Sequence, residues 1–370
     1  MSMSLGLGLG LTHRRGTSLA AKIRAIFRDM ETGVWLDYSD ASTLFQDAAG
    51  TTPAGIGDPV RLIRDKSGNE NDALAPSDAA RPVVGRVPVT GRRNLLTRTE
   101  EFDNAYWQKT GITASGVTIT EDASTGRHRL RTAFESSPSG VSQTISALVE
   151  KTSVRRIVLN AVSRLGVRAL FDISAGMIID QTGSGASITE EGNFFRIELT
   201  GTGTGTSEGI FFELYPPTET SAAGSNYAGD PSVSLDILEY QLETGSTATP
   251  YQRVGSQFDV TEAGIPSAIY IRRDLIDDRL DVTLPAITDG KIIIGTTEGV
   301  WVDDLDFAGG TFSMGPTTYT GGPAGLYDAI GADELGTIIL DRQPTEAELA
   351  NIMKWFKSKG SPDNLITEPF

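Results

Sequence analysis

Between residues 93 and 253, apolar and polar residues follow one another in short runs, and no helical periodicity of useful length interrupts them. Arg156-Ile157-Val158-Leu159-Asn160-Ala161-Val162 and Ala169-Leu170-Phe171-Asp172-Ile173 are rich in β-branched and aromatic side chains. Phe194-Phe195-Arg196-Ile197-Glu198-Leu199, residues 209–215 and residues 233–238 repeat the pattern. Such runs, separated by Gly/Ser/Thr spacers at 182–185 and 201–206, predict strands joined by turns. The flanks read the same way: Val34-Trp35-Leu36-Asp37, then residues 59–63, 269–271, 277–282, 291–295 and 336–341.

Two segments carry helical spacing instead. Thr17 or Ser18 caps the first, and Leu19, Ile23, Ile26 and Phe27 share one face. The second opens on a capping box of Thr345 and Glu348 and carries a Leu349, Ile352, Met353, Phe356 stripe. Gly360 and Pro362 stop it. The expected fold class is all-β: two sandwiches, a short N-terminal helix and a C-terminal helix.

The middle is bracketed by Arg92-Arg93-Asn94-Leu95-Leu96 with Glu101-Phe102-Asp103-Asn104-Ala105-Tyr106-Trp107, and by residues 238–245 with Ala248-Thr249-Pro250-Tyr251-Gln252-Arg253. These phrases resemble those around a carbohydrate-binding-like jelly-roll module of phage tail proteins. Outside them, Trp35 and Asp37, then Asp65-Lys66-Ser67-Gly68-Asn69-Glu70-Asn71-Asp72 and Arg81-Pro82, resemble the first half of a laminin-G/concanavalin-A-like lectin sandwich of phage structural proteins. Residues 340–349 resemble that family's last strand and terminal helix; Arg272-Arg273-Asp274 departs from its usual glycine turn. The resemblance implies a discontinuous lectin-like sandwich, 30–92 plus 254–360, with a jelly roll of 93–253 inserted. A virion-anchoring segment (1–29) and a tail (361–370) complete the division.

At 370 residues the chain is long enough for two cores. Its net charge of -16 repels phosphate backbones and argues against a nucleic-acid partner. It has no cysteine, and His13 and His128 are the only histidines, so a thiolate zinc site is excluded and a Ser-His-Asp triad nearly so. No apolar run reaches the roughly 18 residues of a membrane span. The apolar residues 5–11 precede the basic ones, the reverse of a signal peptide, so assembly in the host cytoplasm and residence in the virion are expected.

Residues 1–28 hold no acidic residue but carry Arg14, Arg15 and Arg24, which with Ile23 and Phe27 suggest a basic amphipathic anchor for other virion proteins. The competing reading is an ordinary helix packed on its own domain. Trp35, Trp107 and Trp355 sit in elements expected to pack. Trp301, beside a strand, and Tyr227 and Asp230, in a polar loop, are candidate glycan contacts, as are Tyr319 and Tyr327 in a Gly/Pro/Thr-rich loop. Asp65, Asn69 and Asp72 offer the hard oxygens that Ca2+ takes, but they equally suit a turn. No other cofactor is expected. Among many acidic residues, including Glu190, Glu191, Glu213, Asp236 and Glu239, no catalytic pair stands out.

What the resemblance implies is a structural component of a tailed-phage virion, a fibre or head spike, that meets host-surface glycan and is no enzyme. A homotrimer is expected. The alternatives are a purely architectural decoration protein and a polysaccharide depolymerase.

Overall fold

A computed structural model describes residues 17–28, 31–132, 135–152, 154–274, 276–315 and 333–366. Among them the fold is all-β, with nearly all strand pairs antiparallel and three short α-helical stretches. The chain divides into two compact units. The first takes its described residues from Met1–Ala54, Pro59–Pro82 and Tyr270–Phe370; the second from Gly55–Asp58 and Val83–Ile269.

In the first unit, Val34–Asp37, Glu334–Leu340, Ile287–Thr296, Val300–Phe307 and Leu365–Ile366 lie side by side in that order. A second sheet runs Leu44–Phe45, Leu62–Ile63, Ala73–Leu74, Leu280–Leu284, Gly310–Met314. The helix Glu346–Lys359 carries the predicted capping box, Thr345 Oγ1 accepting from Glu348 N–H while the Glu348 carboxylate accepts from Thr345 N–H. Its aromatic stripe explains two glycines. A Cβ on Gly295 would overlap the Phe356 ring, and one on Gly336 would crowd Trp355, so the strands stay bare where the helix crosses them. Trp355 meets Trp35 edge to face, with centroids 5.5 Å apart.

The predicted N-terminal helix is present as Leu19–Ile26, capped by Ser18. It packs against Glu346–Lys359 of its own unit, and Ile23, Ile26 and Phe27 are buried. This corrects the amphipathic-anchor expectation for Ile23 and Phe27: their apolar face is already covered. Arg24 is exposed, and Arg14 and Arg15 lie outside the described residues.

Nearby, Glu31 is only 4% exposed. Burial and the adjacent Asp341 carboxyl push its pKa up to about 7, against partial relief from Arg342 at 3.0 Å. A carboxyl raised in the folded state contributes stability below its ordinary 4.5 and loses it as pH rises through 7. Melting of the first unit is therefore expected to fall between pH 5 and pH 8, by a change on the order of 3 kcal/mol. Glu31→Gln should flatten that slope; an unchanged slope in the variant would refute the assignment.

The second unit is a sandwich of two six-stranded antiparallel sheets. One runs Met177–Thr182, Val167–Asp172, Arg156–Ala161, Phe211–Tyr215, His128–Arg131, Gln108–Thr110. The other runs Ala186–Glu191, Phe194–Thr202, Ser142–Glu150, Ser234–Thr244, Thr118–Glu121, Ile112–Ser115. Alternating side chains from both, such as Ile157, Phe171, Phe212 and Ile145, Ile197, Leu242, form one core. Phe102, Trp107 and Tyr240 close one part of it, Trp107 stacking on Tyr240 at 5.7 Å.

The bracketing phrases meet in this unit. Asn94 is fully buried; its amide donates to the carbonyls of Tyr240 and Gln252 and accepts from Leu96 and Leu242. The Gln252 side chain in turn accepts from Arg93 N–H and donates to Gly91 O and Glu262. Strands Val83–Pro88, Gln252–Ser256 and Asp259–Glu262 also group with the second unit; among them Arg86 pairs with Asp259 at 2.5 Å and Arg93 with Glu262 at 2.8 Å.

Candidate functional site

Strand Phe194–Thr202 buries Phe195, Ile197 and Leu199 and turns Arg196 and Glu198 to the opposite face. Its neighbour Ala186–Glu191 sets Ser187 opposite Glu198 and Thr189 opposite Arg196, so their side chains share that outer face. Across the sheet, the pairing of Ser142–Glu150 with Ser234–Thr244 slips between Ser146 and Leu148. The slip accommodates Glu239, a non-glycine residue held at φ 50°. A bulge of this kind re-aims one side chain, at a conformational cost on the order of 1 kcal/mol or more. Here it brings the Glu239 carboxylate onto Nη2 of the Arg196 guanidinium, which with Nε also donates to Glu191 in two bonds at 3.3 and 3.0 Å.

These groups floor an open cleft of about 860 Å³. Residues 248–251 and 261–263 wall it, and Glu100 and Arg253 stand at its side. Arg253 bridges Glu100 at 3.0 Å and Asp259 at 3.1 Å. Tyr251 donates to or accepts from Thr99 at 2.6 Å; burial pushes its phenol well above the usual range, so it stays neutral. Glu262 is held below the ordinary carboxylate range by Arg93 and Gln252, although burial works against it. The lining thus sets carboxylates around two guanidinium groups, Arg196 held by Glu191 and Glu239 and Arg253 by Glu100 and Asp259. Paired oxygens and paired N–H groups of this geometry match adjacent hydroxyls, which donate and accept at once.

The residues singled out from sequence lie elsewhere. Trp301 is 7% exposed and pairs with Ile294 in the neighbouring strand, so its ring belongs to the core rather than to a surface. Tyr227 is half-buried: its hydroxyl donates to Glu121 at 2.5 Å and to Leu214 O at 3.1 Å, and its ring rests on His128 at 4.5 Å. The exposed Asp230 turns its carboxylate back onto Ser232 N–H and Oγ. Tyr319 and Tyr327 fall outside the described residues.

The Asp65, Asn69, Asp72 group folds as a hydrogen-bonded knot. Asp65 Oδ1 accepts from Trp35 and Ser67 N–H, and Oδ2 from Ser67 Oγ and Asn71 N–H. Asn69 donates to the carbonyls of Glu31 and Gly33, and Asp72 accepts from Asp65 N–H and Arg64. The Asp65 and Asp72 oxygens are taken by donors of the chain itself, the pattern of a turn. Asp274, Asp277 and Asp278 bring carboxylate oxygens within 4.8 Å of one another. The Asp274 and Asp278 carboxylates accept from local amides, and burial pushes Asp278 up to about 6.

Sequence reading missed Arg196, Arg253 and Tyr251 as site residues and left Glu239 among the undistinguished acids. The alternation of Phe195, Ile197 and Leu199 does assign Arg196 and Glu198 to one outer face. Nothing local marks the bulge. Comparison with protein-family models and with curated proteins finds no match.

Proposed function

We propose that this chain is a structural component of a tailed-phage virion, a fibre or spike, whose middle unit holds host-surface glycan in the Arg196–Glu239 cleft without cleaving it. The virion part rests on the resemblance of the bracketing and Asp65–Asp72 phrases to phage structural proteins. The observation that carries the glycan part is the open cleft, whose floor is built from a conformationally costly Glu239 paired to Arg196. Reversible adhesion needs many weak, oriented hydrogen bonds in an accessible groove, and multivalent display on a homotrimer would raise the net affinity. Attachment to other virion proteins would then fall to the segment around Arg14 and Arg15, since Ile23 and Phe27 are already packed.

The test is binding of the whole protein to an array of host-envelope polysaccharides, with reducing ends measured over the same period. Wild type should bind at least one neutral glycan and release no product. Arg196→Ala and Glu239→Gln should each weaken that binding tenfold or more at an unchanged melting temperature. Reducing ends that accumulate would favour the depolymerase, and absence of any glycan binding would favour the architectural reading.

A further inference from the structure

The other six-stranded sheet of the second unit has an outer face of different chemistry. Strand His128–Arg131 turns Leu130 to the core and Arg129 and Arg131 outward. The register sets Arg131 opposite Gln108 on one side and Phe211 on the other. Phe211 faces Asn160, Asn160 faces Arg168, and Arg168 faces Thr182. One row therefore crosses all six strands: Gln108, Arg131, Phe211, Asn160, Arg168, Thr182. At about 4.8 Å per strand it is roughly 24 Å long.

The row is preorganised. Arg129 and Arg131 hold their guanidinium groups over the Phe211 ring, at 4.8 and 5.7 Å from its centroid. Gln108 bonds Arg131, and Thr182 accepts from Arg168 at 3.2 Å. Asn160 is fixed by Glu213, which the register sets opposite Arg129 and whose side chain is fully buried. A guanidinium stacked on a ring keeps its in-plane N–H edge for an oxyanion. Among the described residues Arg129 has no ion-pair partner, and Arg127 reaches Glu213 only at 3.7 Å. In a chain of net charge -16, two arginines around one aromatic ring with a third two strands away are a local reversal of sign.

We propose that this sheet face is a binding track for an anionic polysaccharide, separate from the cleft. The Phe211 ring holds Arg129 and Arg131 in place, and Arg129, Arg131 and Arg168 take successive carboxylate or phosphate groups along the chain. The experiment is affinity electrophoresis of the full-length protein in gels containing polygalacturonate, a phosphodiester-linked teichoic acid, neutral dextran or single-stranded DNA. Retardation by one or both anionic glycans is expected, and which of them acts distinguishes carboxylate from phosphate. Arg129→Gln with Arg131→Gln should weaken it at least tenfold, and Arg168→Gln, at the far end of the row, several-fold. Arg196→Ala should leave it unchanged, which separates this track from the cleft. Melting curves identify any variant that fails to fold, and Arg168→Gln then decides. Retardation by neither anionic glycan, equal retardation by dextran or DNA, or indifference to the arginine variants would overturn the proposal.

Discussion

Glu121→Ala is expected to cost the second unit about 3–5 kcal/mol, the penalty for leaving one partner of a buried ion pair alone. The Glu121 side chain is fully buried and takes Arg155 in two bonds of 2.6 Å. It also accepts from the Tyr227 hydroxyl and from Asp230 N–H at 2.9 Å. Deleting it strands a guanidinium that is itself only 12% exposed and frees the loop that carries Tyr227. Urea unfolding followed in the second unit measures the loss; a cost below about 1 kcal/mol would refute this account of the cluster. Burial disfavours the Glu121 charge, yet Arg155 and Tyr227 hold its pKa below the ordinary range. Its contribution is thus present above the unfolded value and fades as pH falls through the folded one. Glu31 in the first unit has the opposite sign and acts in a higher pH range, above 4.5 rather than below it.

Asp65→Ala comes next, with an expected loss of about 3 kcal/mol or more in the first unit. Four donors converge on this carboxylate: three backbone amides and one hydroxyl. One amide belongs to Trp35, so the knot ties the loop at 65–72 to the first strand of the sandwich. Asp65→Asn keeps the shape but loses charge and part of the acceptor capacity, and should fall between wild type and alanine. Melting curves with calcium and with a chelator complete the test. Coincident wild-type curves are expected, because the carboxylate oxygens are already used; a clear upward shift with calcium would reinstate the ion.

The terminal helix was legible because its signals are local: Thr345, Glu348 and the Leu349–Phe356 stripe lie within twelve residues. The all-β reading of the middle was legible for the same reason, since period-two alternation needs only one strand at a time. Tyr227 was not, because its partner Glu121 is more than a hundred positions away and a Ser/Asn/Gly setting imitates an exposed loop. Trp301 misled because acidic neighbours disguise a position whose ring turns inward. The meeting of Val83–Pro88 with residues 258 and 259 was not legible, because no single segment announces that pairing. Glu239 was hidden most deeply: its backbone geometry is imposed by the register of a partner strand.

The two outer faces of the middle sandwich also give it an electrical orientation. Guanidinium groups crowd one broad side, while carboxylates outnumber arginines along the cleft on the other. Near a negatively charged cell envelope such a body experiences a torque before it touches anything. The arginine side would be turned toward the envelope within a Debye length of about 8 Å at physiological salt, and the first collision would already be a selected one.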